Sequence, residues 1–256
     1  MLRERAKANA ELRYLPVRAV GQKRDGVAVL AGKRWFKGKL LLGCDGACSL
    51  VARSFGLWGK RELYQAAFYR SSRLNGEGID VILDKSISKS FFGWMIEKQG
   101  EIGVIRKANE NLALRELARR FSIRFDAKKA VIAPIAIGSC KPARGRAILV
   151  GEAALQTKPL TGGGIVFSLL GASLALRFVK SYLDGEVKLS DATKRYESEC
   201  RRVFQNEIKA QYALRKLYSC LPWQAINFLA SILPRGVRVN ELTYDRVLSL
   251  FKLLPD

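Results

Sequence analysis

The stretch that decides the fold is Ile148-Leu-Val-Gly-Glu-Ala-Ala154, continued by Pro159-Leu-Thr-Gly-Gly-Gly-Ile165 and a strongly apolar segment to Leu183. A short, continuous apolar run ending in a glycine is the pattern of a buried parallel strand. The three consecutive glycines let backbone pass close to a flat ligand with no side chain in the way. A helix opening at Gly164 aims free N–H groups and the positive end of its dipole at such a ligand. That combination suits negative charge. Glu152, at the carboxyl end of its strand, stands where open α/β sheets bind ligands and can accept hydrogen bonds from hydroxyl groups.

Working outward, a second signal lies upstream. Leu40-Leu-Leu-Gly-Cys44 reads as another buried strand, and it runs into Gly43-Cys-Asp-Gly-Ala-Cys-Ser-Leu-Val-Ala-Arg53. An Asp-Gly after a strand is by itself a turn. The two signals gain meaning from their order and from the β-rich stretch between them. Before them, Leu2 to Leu12 has helix-forming composition, Arg13 to Val20 reads as a strand, and Gln22–Leu30 and Lys33–Lys37 read as hairpin strands. Between them, Phe91-Phe-Gly-Trp-Met-Ile96 and Ile102-Gly-Val-Ile105 flank Gln99-Gly100 as a hairpin. Asn111 to Phe121 carries Leu112, Leu114, Leu117 and Phe121 at partly helical spacing. After them, a helix is expected from Ser190 or Asp191 as N-cap, with Ala192, Tyr196, Cys200, Val203, Phe204 and Ile208 on its buried face.

These motifs resemble the second and third fingerprints of FAD-dependent monooxygenase-like flavoproteins, roughly G-A-D-G-x-x-S-x-V-R and G-D-A-A-x-x-x-x-P-x-x-G-x-G-I. The form P-L-T-G-G-G-I, intact at Pro159 to Ile165, is particularly similar to the geranylgeranyl reductase family, and Phe91 to Ile96 resembles that family's P-G-Y-x-W-x-F-P strand. The resemblance runs from residue 1 to about 185. It implies an α/β (α+β) fold: an incomplete Rossmann-like FAD-binding domain at 1–60 and 134–185, an inserted antiparallel β-sheet substrate domain at 61–133, and a helical region at 186–256. It implies FAD as cofactor and reduction of isoprenoid C=C bonds as activity. Residue by residue, it gives Glu152 the position of the aspartate on the ribityl chain. Pro159, Thr161, Gly162, Gly163 and Gly164 would lie beside the isoalloxazine ring. Asp45 and Gly46 would lie near ribose and pyrophosphate, and Trp94 would form a wall of the prenyl cavity or an ordinary core tryptophan. No side chain stands out as proton donor.

The chain also departs from that pattern. Nothing like the G-x-G-x-x-G turn precedes residue 40, so a split gene with a separate nucleotide-binding chain, a misplaced start or a fragment are the accounts to consider. Glu152 replaces aspartate and Cys44 replaces alanine. Ala52 stands where arginine is expected, Lys158 precedes Pro159, and Glu97-Lys98 replace Phe-Pro. As a set they keep a non-catalytic paralogue open beside the reductase, with an FAD-dependent aromatic hydroxylase as a further alternative.

Composition bounds the rest. The 256 residues are 48% hydrophobic, with mean hydropathy −0.02, the values of a chain that buries a core. Lys+Arg 45 against Asp+Glu 23 gives +22, which suits a prenyl diphosphate or prenyl lipid substrate and peripheral contact with an anionic membrane. No helix-turn-helix, RNA-recognition or zinc-finger signature supports a specific nucleic acid. The absence of histidine excludes Ser-His-Asp and Cys-His catalysis. Cysteines 44, 48, 140, 200 and 220 form no C-x-x-C pair, so no metal site is expected, and their odd number suits reduced thiols in a cytoplasm. No segment reads as a membrane span. Leu217 to Leu233 is expected as a hairpin of short helices, and the segment around Trp223 and Phe228 as an interfacial surface or a packed helical cap.

Overall fold

The computed structural model describes residues 4, 7–8, 10–74, 76–222 and 224–225. Three sheets and two long helices organise them. β1 (Val17–Lys23), β2 (Gly26–Ala31) and β3 (Arg34–Gly38) form an antiparallel meander. Its first turn falls at Arg24-Asp25, splitting the expected Gln22–Leu30 strand between β1 and β2.

β4 (Leu41–Gly43) pairs in parallel with β11 (Ala147–Leu149), and β10 (Ala143–Arg144) closes the far side of β11 as an antiparallel edge. This parallel pair sets the two motifs side by side, since each follows directly from the carboxyl end of its strand. Gly43 has to be glycine here: a Cβ would stand 2.8 Å from the Cβ of Val51 and 2.9 Å from a methyl of Leu149. The opposite edge of β4 pairs with no strand among the described residues. After β4 comes the short helix α1 (Leu50–Ser54), whose Val51 and Ala52 pack beneath Leu57, Ala147 and Leu149.

The segment between the motifs is a five-stranded antiparallel sheet in the order β6-β7-β8-β5-β9. Its strands are β5 (Lys60–Arg70), β6 (Ile79–Ile82), β7 (Gly93–Ile96), β8 (Glu101–Arg106) and β9 (Val131–Ser139). Strand alternation sends Ala67, Tyr69, Met95, Ile102 and Val104 to one face, where α2 (Glu110–Arg120) covers them with Ala113, Leu114, Leu117 and Ala118. Leu112, expected on the buried stripe, is instead 66% exposed, because helical rotation places the small Ala113 against the sheet in its stead. The other face carries Tyr64, Phe91, Trp94, Ile105, Ile135 and Ile137 and looks toward the glycine-rich loop.

α3 (Ile165–Leu183) packs against α4 (Leu189–Cys220) through Phe167, Ala175, Phe178 and Val179 against Ala192, Tyr196, Cys200 and Phe204. The start of α4 corrects the sequence expectation. Lys188, not Ser190 or Asp191, is the N-cap residue, and no side chain caps it. Ser190 and Asp191 lie inside the first turn, where Asp191 still meets the positive dipole end. α4 also runs through Leu217 to Cys220, so the expected hairpin does not begin at Leu217. Trp223, Phe228 and the rest of that stretch beyond Ala225 lie outside the described residues, as does most of the expected Leu2–Leu12 helix. By length and composition Ile165–Leu183, the strongly apolar segment of the sequence reading, is long and apolar enough to cross a membrane, where no segment was expected to read as a span.

Candidate functional site

The two motifs and the glycine-rich loop line one cleft of about 610 Å³, walled by Cys44, Gly46, Gly151, Glu152, Thr157 and the first turns of α3. Its far wall is Ile135 of β9, from the face of the large sheet that α2 leaves open.

The loop closes on itself through two backbone bonds, Lys158 N–H to Gly163 C=O and Gly162 N–H to Lys158 C=O, both 2.8 Å. Gly162 takes φ +74°, and a Cβ there would sit 2.9 Å from the Ile105 Cδ1, so the loop presses bare backbone onto the sheet. Gly164 is the N-cap residue of α3. No side chain caps it and no acidic residue occupies the first turn, so the first N–H groups of a 19-residue helix meet the cleft without a capping carboxylate of their own. The Thr157 hydroxyl, on the same wall, is buried and has no hydrogen-bond partner among the described residues. An unsatisfied buried hydroxyl, an uncapped helix and a cradle of glycines together fit a planar, hydroxyl-bearing anion.

Glu152 lies in the cleft wall with one carboxylate oxygen held 2.7 Å from the Ala136 N–H of β9. Burial raises its pKa, against the lowering effects of the Ala136 and Ala47 amides and of Arg61. The longer side chain therefore ties the motif turn across to β9 while standing beside the cleft. Asp45 does something else. One oxygen accepts from the Ser49 hydroxyl at 2.6 Å and the other from the Val51 N–H at 3.1 Å, so its carboxylate braces the turn into α1. Gly46, at φ +74° with open space around its Cβ position, lines the cleft; Asp45 does not. Pro159 is buried behind the loop and Thr161 is exposed on it, the Thr161 hydroxyl accepting from the Gly163 N–H at 3.3 Å. Trp94 stands on the open face of the sheet. Its indole lies against Gly103, where a Cβ would come within 2.0 Å of it, and its N–H donates to Glu101 at 3.1 Å. It does not line this cleft.

Arg61, Gln156 and Gly171, which the sequence reading passed over, hold the site together with Tyr196 from the buried face of α4. Arg61 on β5 donates to Ala47 C=O at 2.5 Å and Ala153 C=O at 2.6 Å, joining the two motif turns with one guanidinium. Gln156 accepts from the Gly151 N–H at 2.7 Å and donates to the Tyr196 hydroxyl, which in turn donates to Leu149 C=O at 2.7 Å. Gly171 of α3 leaves room for that amide, since a Cβ would stand 2.0 Å from the Gln156 oxygen. Only Arg61, two residues beyond a Trp-Gly, offered any local sign: a cation entering a strand beside an aromatic ring, which it stacks upon at 4.3 Å. Burial pushes the nearby Cys140 and Cys200 thiols up to about 11 and about 12, so both are protonated at neutral pH.

No protein-family model matches the chain. Over 247 residues it is 25% identical to the digeranylgeranylglycerophospholipid reductase of Methanocaldococcus jannaschii, covering 83% of this chain and 61% of that protein. Over 194 residues it is 26% identical to an uncharacterized protein of the same organism, covering 70% of this chain and 49% of that one. The backbone superposes on the crystal structure of a geranylgeranyl bacteriochlorophyll reductase-like protein from Thermoplasma acidophilum, with TM-score 0.74 at 18% identity. That match covers 93% of this chain and 65% of the other. The chain is geranylgeranyl reductase-like. Its fold is that of FAD-dependent reductases and monooxygenases, mixed α/β with antiparallel sheets and C-terminal helices. This geranylgeranyl reductase-like chain spans about half to three-fifths of the length of the curated relatives it matches, 49% and 61% of the two above.

Proposed function

We propose that this chain supplies the ring-side half of an FAD-dependent oxidoreductase that reduces C=C bonds of geranylgeranyl-type chains in lipids. The observation that carries the reading is the cleft. An uncapped 19-residue helix, a glycine loop pressed onto an apolar sheet face and a Thr157 hydroxyl with no partner among the described residues converge there, in a chain whose sequence and backbone are similar to those of the reductase relatives.

When bound, FAD supplies hydride chemistry. The chain's own contribution is positional and electrostatic. Gly162 to Gly164 admit a flat ring edge, and the α3 N-terminus stabilises negative charge placed against it. Glu152 and Thr157 offer acceptors and a donor to polyol hydroxyls. Ile105 and Ile135 shield the site from water, which an apolar alkene substrate requires. The charge of +22 suits a phosphate-bearing prenyl substrate and a peripheral position on an anionic membrane.

A complementary nucleotide-binding polypeptide belongs to the same proposal. The edge of β4 that pairs with no described strand offers a place for a further strand, and α3 nearby is apolar and exposed among the described residues: Ile165 and Leu169 at the cleft and Leu176 beyond it are 80%, 58% and 60% exposed. A strand added to β4 with its crossover helix on α3 would cover both.

The test is an absorbance spectrum from about 300 to 550 nm of the protein purified from its native host, with mass spectrometry of any chain that accompanies it. A flavin spectrum, and reduction of a geranylgeranyl lipid by one H2 per double bond, would establish the activity. A flavin protein that hydroxylates an aromatic compound and leaves the lipid intact would replace it with the hydroxylase reading. A colourless protein that stays colourless with added FAD would leave a non-catalytic paralogue.

A further inference from the structure

Behind the motif turn lies a second and larger cavity, of about 780 Å³, which the flavin reading does not use. The chain from Gly151 to Gln156 separates the two. Gly151 and Glu152 face the flavin cleft, while Ala154, Leu155 and Gln156 line the larger cavity. The volume is that of a small-ligand site.

One side of the cavity is a face of α4 running from Glu197 to Lys216, about 28 Å of helix at 1.5 Å per residue. The other side is the base of the large sheet, Lys60–Glu62 and Gly138–Cys140, with Pro142. Its floor is apolar: Leu155, Phe204 and Ala154 are buried there, with Ile208 half-buried beside them. Its charged groups are unequal in number and in commitment. Of the two carboxylates, Glu197 pairs with Arg201 at 3.0 Å, and Glu62 accepts from the Tyr64 hydroxyl and faces Lys107 and Arg215. Arg61 is turned to Ala47 and Ala153. Lys60, Lys209 and Lys216 remain, and none of the three has an ion-pair partner among the described residues.

An elongated apolar groove with an unpaired lysine rim is complementary to one kind of small molecule, a single hydrocarbon chain ending in an anion. The chain takes the Leu155–Phe204–Ile208 floor, and the head group takes the lysines that no carboxylate among the described residues neutralises. We propose that this groove binds an anionic single-chain lipid, independently of the flavin cleft and on the opposite side of the Gly151–Gln156 turn. Occupancy there bears on Ala154 to Gln156, so the lipid touches the segment that also carries Glu152.

The experiment is calorimetric titration of the full chain with oleoyl lysophosphatidate below its critical micelle concentration. Oleoyl lysophosphatidylcholine and inorganic phosphate serve as controls, and the set is repeated on Lys209→Glu/Lys216→Glu and on Ala213→Trp. Ala213 is an exposed lining residue of α4, so its indole obstructs the groove without disturbing the core. Lysophosphatidate is expected to bind at one site, tenfold or more tighter than the choline lipid. Reversing the two lysines should weaken it at least tenfold, and Ala213→Trp should reduce its binding to a similar degree. Phosphate alone should neither bind nor compete, and added FAD should leave the titration unchanged. The proposal is overturned by equal affinity for both lipids, by displacement with phosphate alone, or by insensitivity to both variants. A groove occupied by a second copy would overturn it too, and would appear as a dimer that lysophosphatidate does not dissociate. Because the readout is binding to the flavin-free chain, failure here leaves the oxidoreductase reading untouched, and failure of flavin binding leaves this one standing.

Discussion

The two long helices make opposite use of their sequences. α3 is apolar nearly all round, yet Ile165, Leu169 and Leu176 are largely exposed among the described residues. α4 is charged along most of its length, yet its inner side is buried from Ala192 to Arg215. Hydropathy alone would rank them the other way. The difference shows that burial in this chain follows the positions of β4, β11 and the large sheet rather than local composition: α4 lies across both, while α3 rests on α4 and the motif turn by one side only.

The inner side of α4 itself changes character midway. Tyr196, Cys200 and Phe204 belong to the core with α3, but the same face continues as Glu207, Gln211 and Arg215. These are buried polar groups with partners. Gln211 donates to Glu207 at 2.9 Å and accepts from the Leu160 N–H of the glycine-rich loop at 3.4 Å. Arg215 donates to Ser90 C=O at 3.2 Å and to the Tyr64 hydroxyl, with its guanidinium over the Tyr64 and Phe91 rings. The largest expected effect of breaking the comparison lies here. Arg215→Ala leaves Ser90 C=O and the Tyr64 hydroxyl without their partner and opens a void against two rings. It should lower unfolding stability by roughly 3 kcal/mol, read as a shift of the urea midpoint at unchanged slope. A loss below about 0.5 kcal/mol would mean that α4 does not dock on the sheet through this residue.

That polar continuation was not legible in advance, and the reason is physical. The spacing of Ala192, Tyr196, Cys200 and Phe204 marks a buried face because apolar side chains gain from leaving water wherever they go. Glu207, Gln211 and Arg215 keep the same spacing, but a polar residue is buried only where partners await it. Those partners, Leu160, Ser90 and Tyr64, lie 51 to 151 residues away in sequence. The motif strands and turns were legible because each is local: an apolar run, a glycine that only a close approach explains, and a helix start. The same limit applies to Arg61, whose function of joining Ala47 to Ala153 exists only once β4 and β11 are paired. Asp45 shows the converse. Its place on the motif was readable, but the hydrogen bonds to Ser49 and Val51 that occupy its carboxylate were not.

A smaller effect is expected at Glu152, which connects the α3 side of the molecule to the sheet. Burial is the largest influence on its carboxyl and raises its pKa above the ordinary 4.5. A carboxyl whose folded pKa is raised binds its proton more tightly in the folded state. Its contribution is therefore fully present below pH 4.5 and is lost as pH rises through the folded value. Glu152→Gln keeps an acceptor for the Ala136 N–H and removes the titration. The variant should gain stability over wild type at neutral pH, by less than about 1 kcal/mol because the side chain is partly solvated, and the difference should shrink toward zero on acidification. Parallel urea titrations at acid and neutral pH measure both. A variant weaker than wild type at neutral pH would show that the ionised carboxylate is the form the fold prefers.

The smallest effect on stability should come from the most apolar surface. Leu169→Gln/Leu176→Gln changes two side chains that are 58% and 60% exposed and belong to no core cluster. In the chain alone, the urea midpoint should move by less than about 0.5 kcal/mol equivalent, as for surface substitutions away from special features. If α3 is covered in the working protein by a strand–helix polypeptide on the β4 edge, the same variant should lose that partner in pull-down from the native host. The contrast with Arg215→Ala is then complete: one helix fails by unfolding and the other by losing its company. A double variant that destabilises the isolated chain by 2 kcal/mol or more would show instead that the outer face of α3 is already packed within this chain, and would remove the support that α3 lends to a complementary polypeptide.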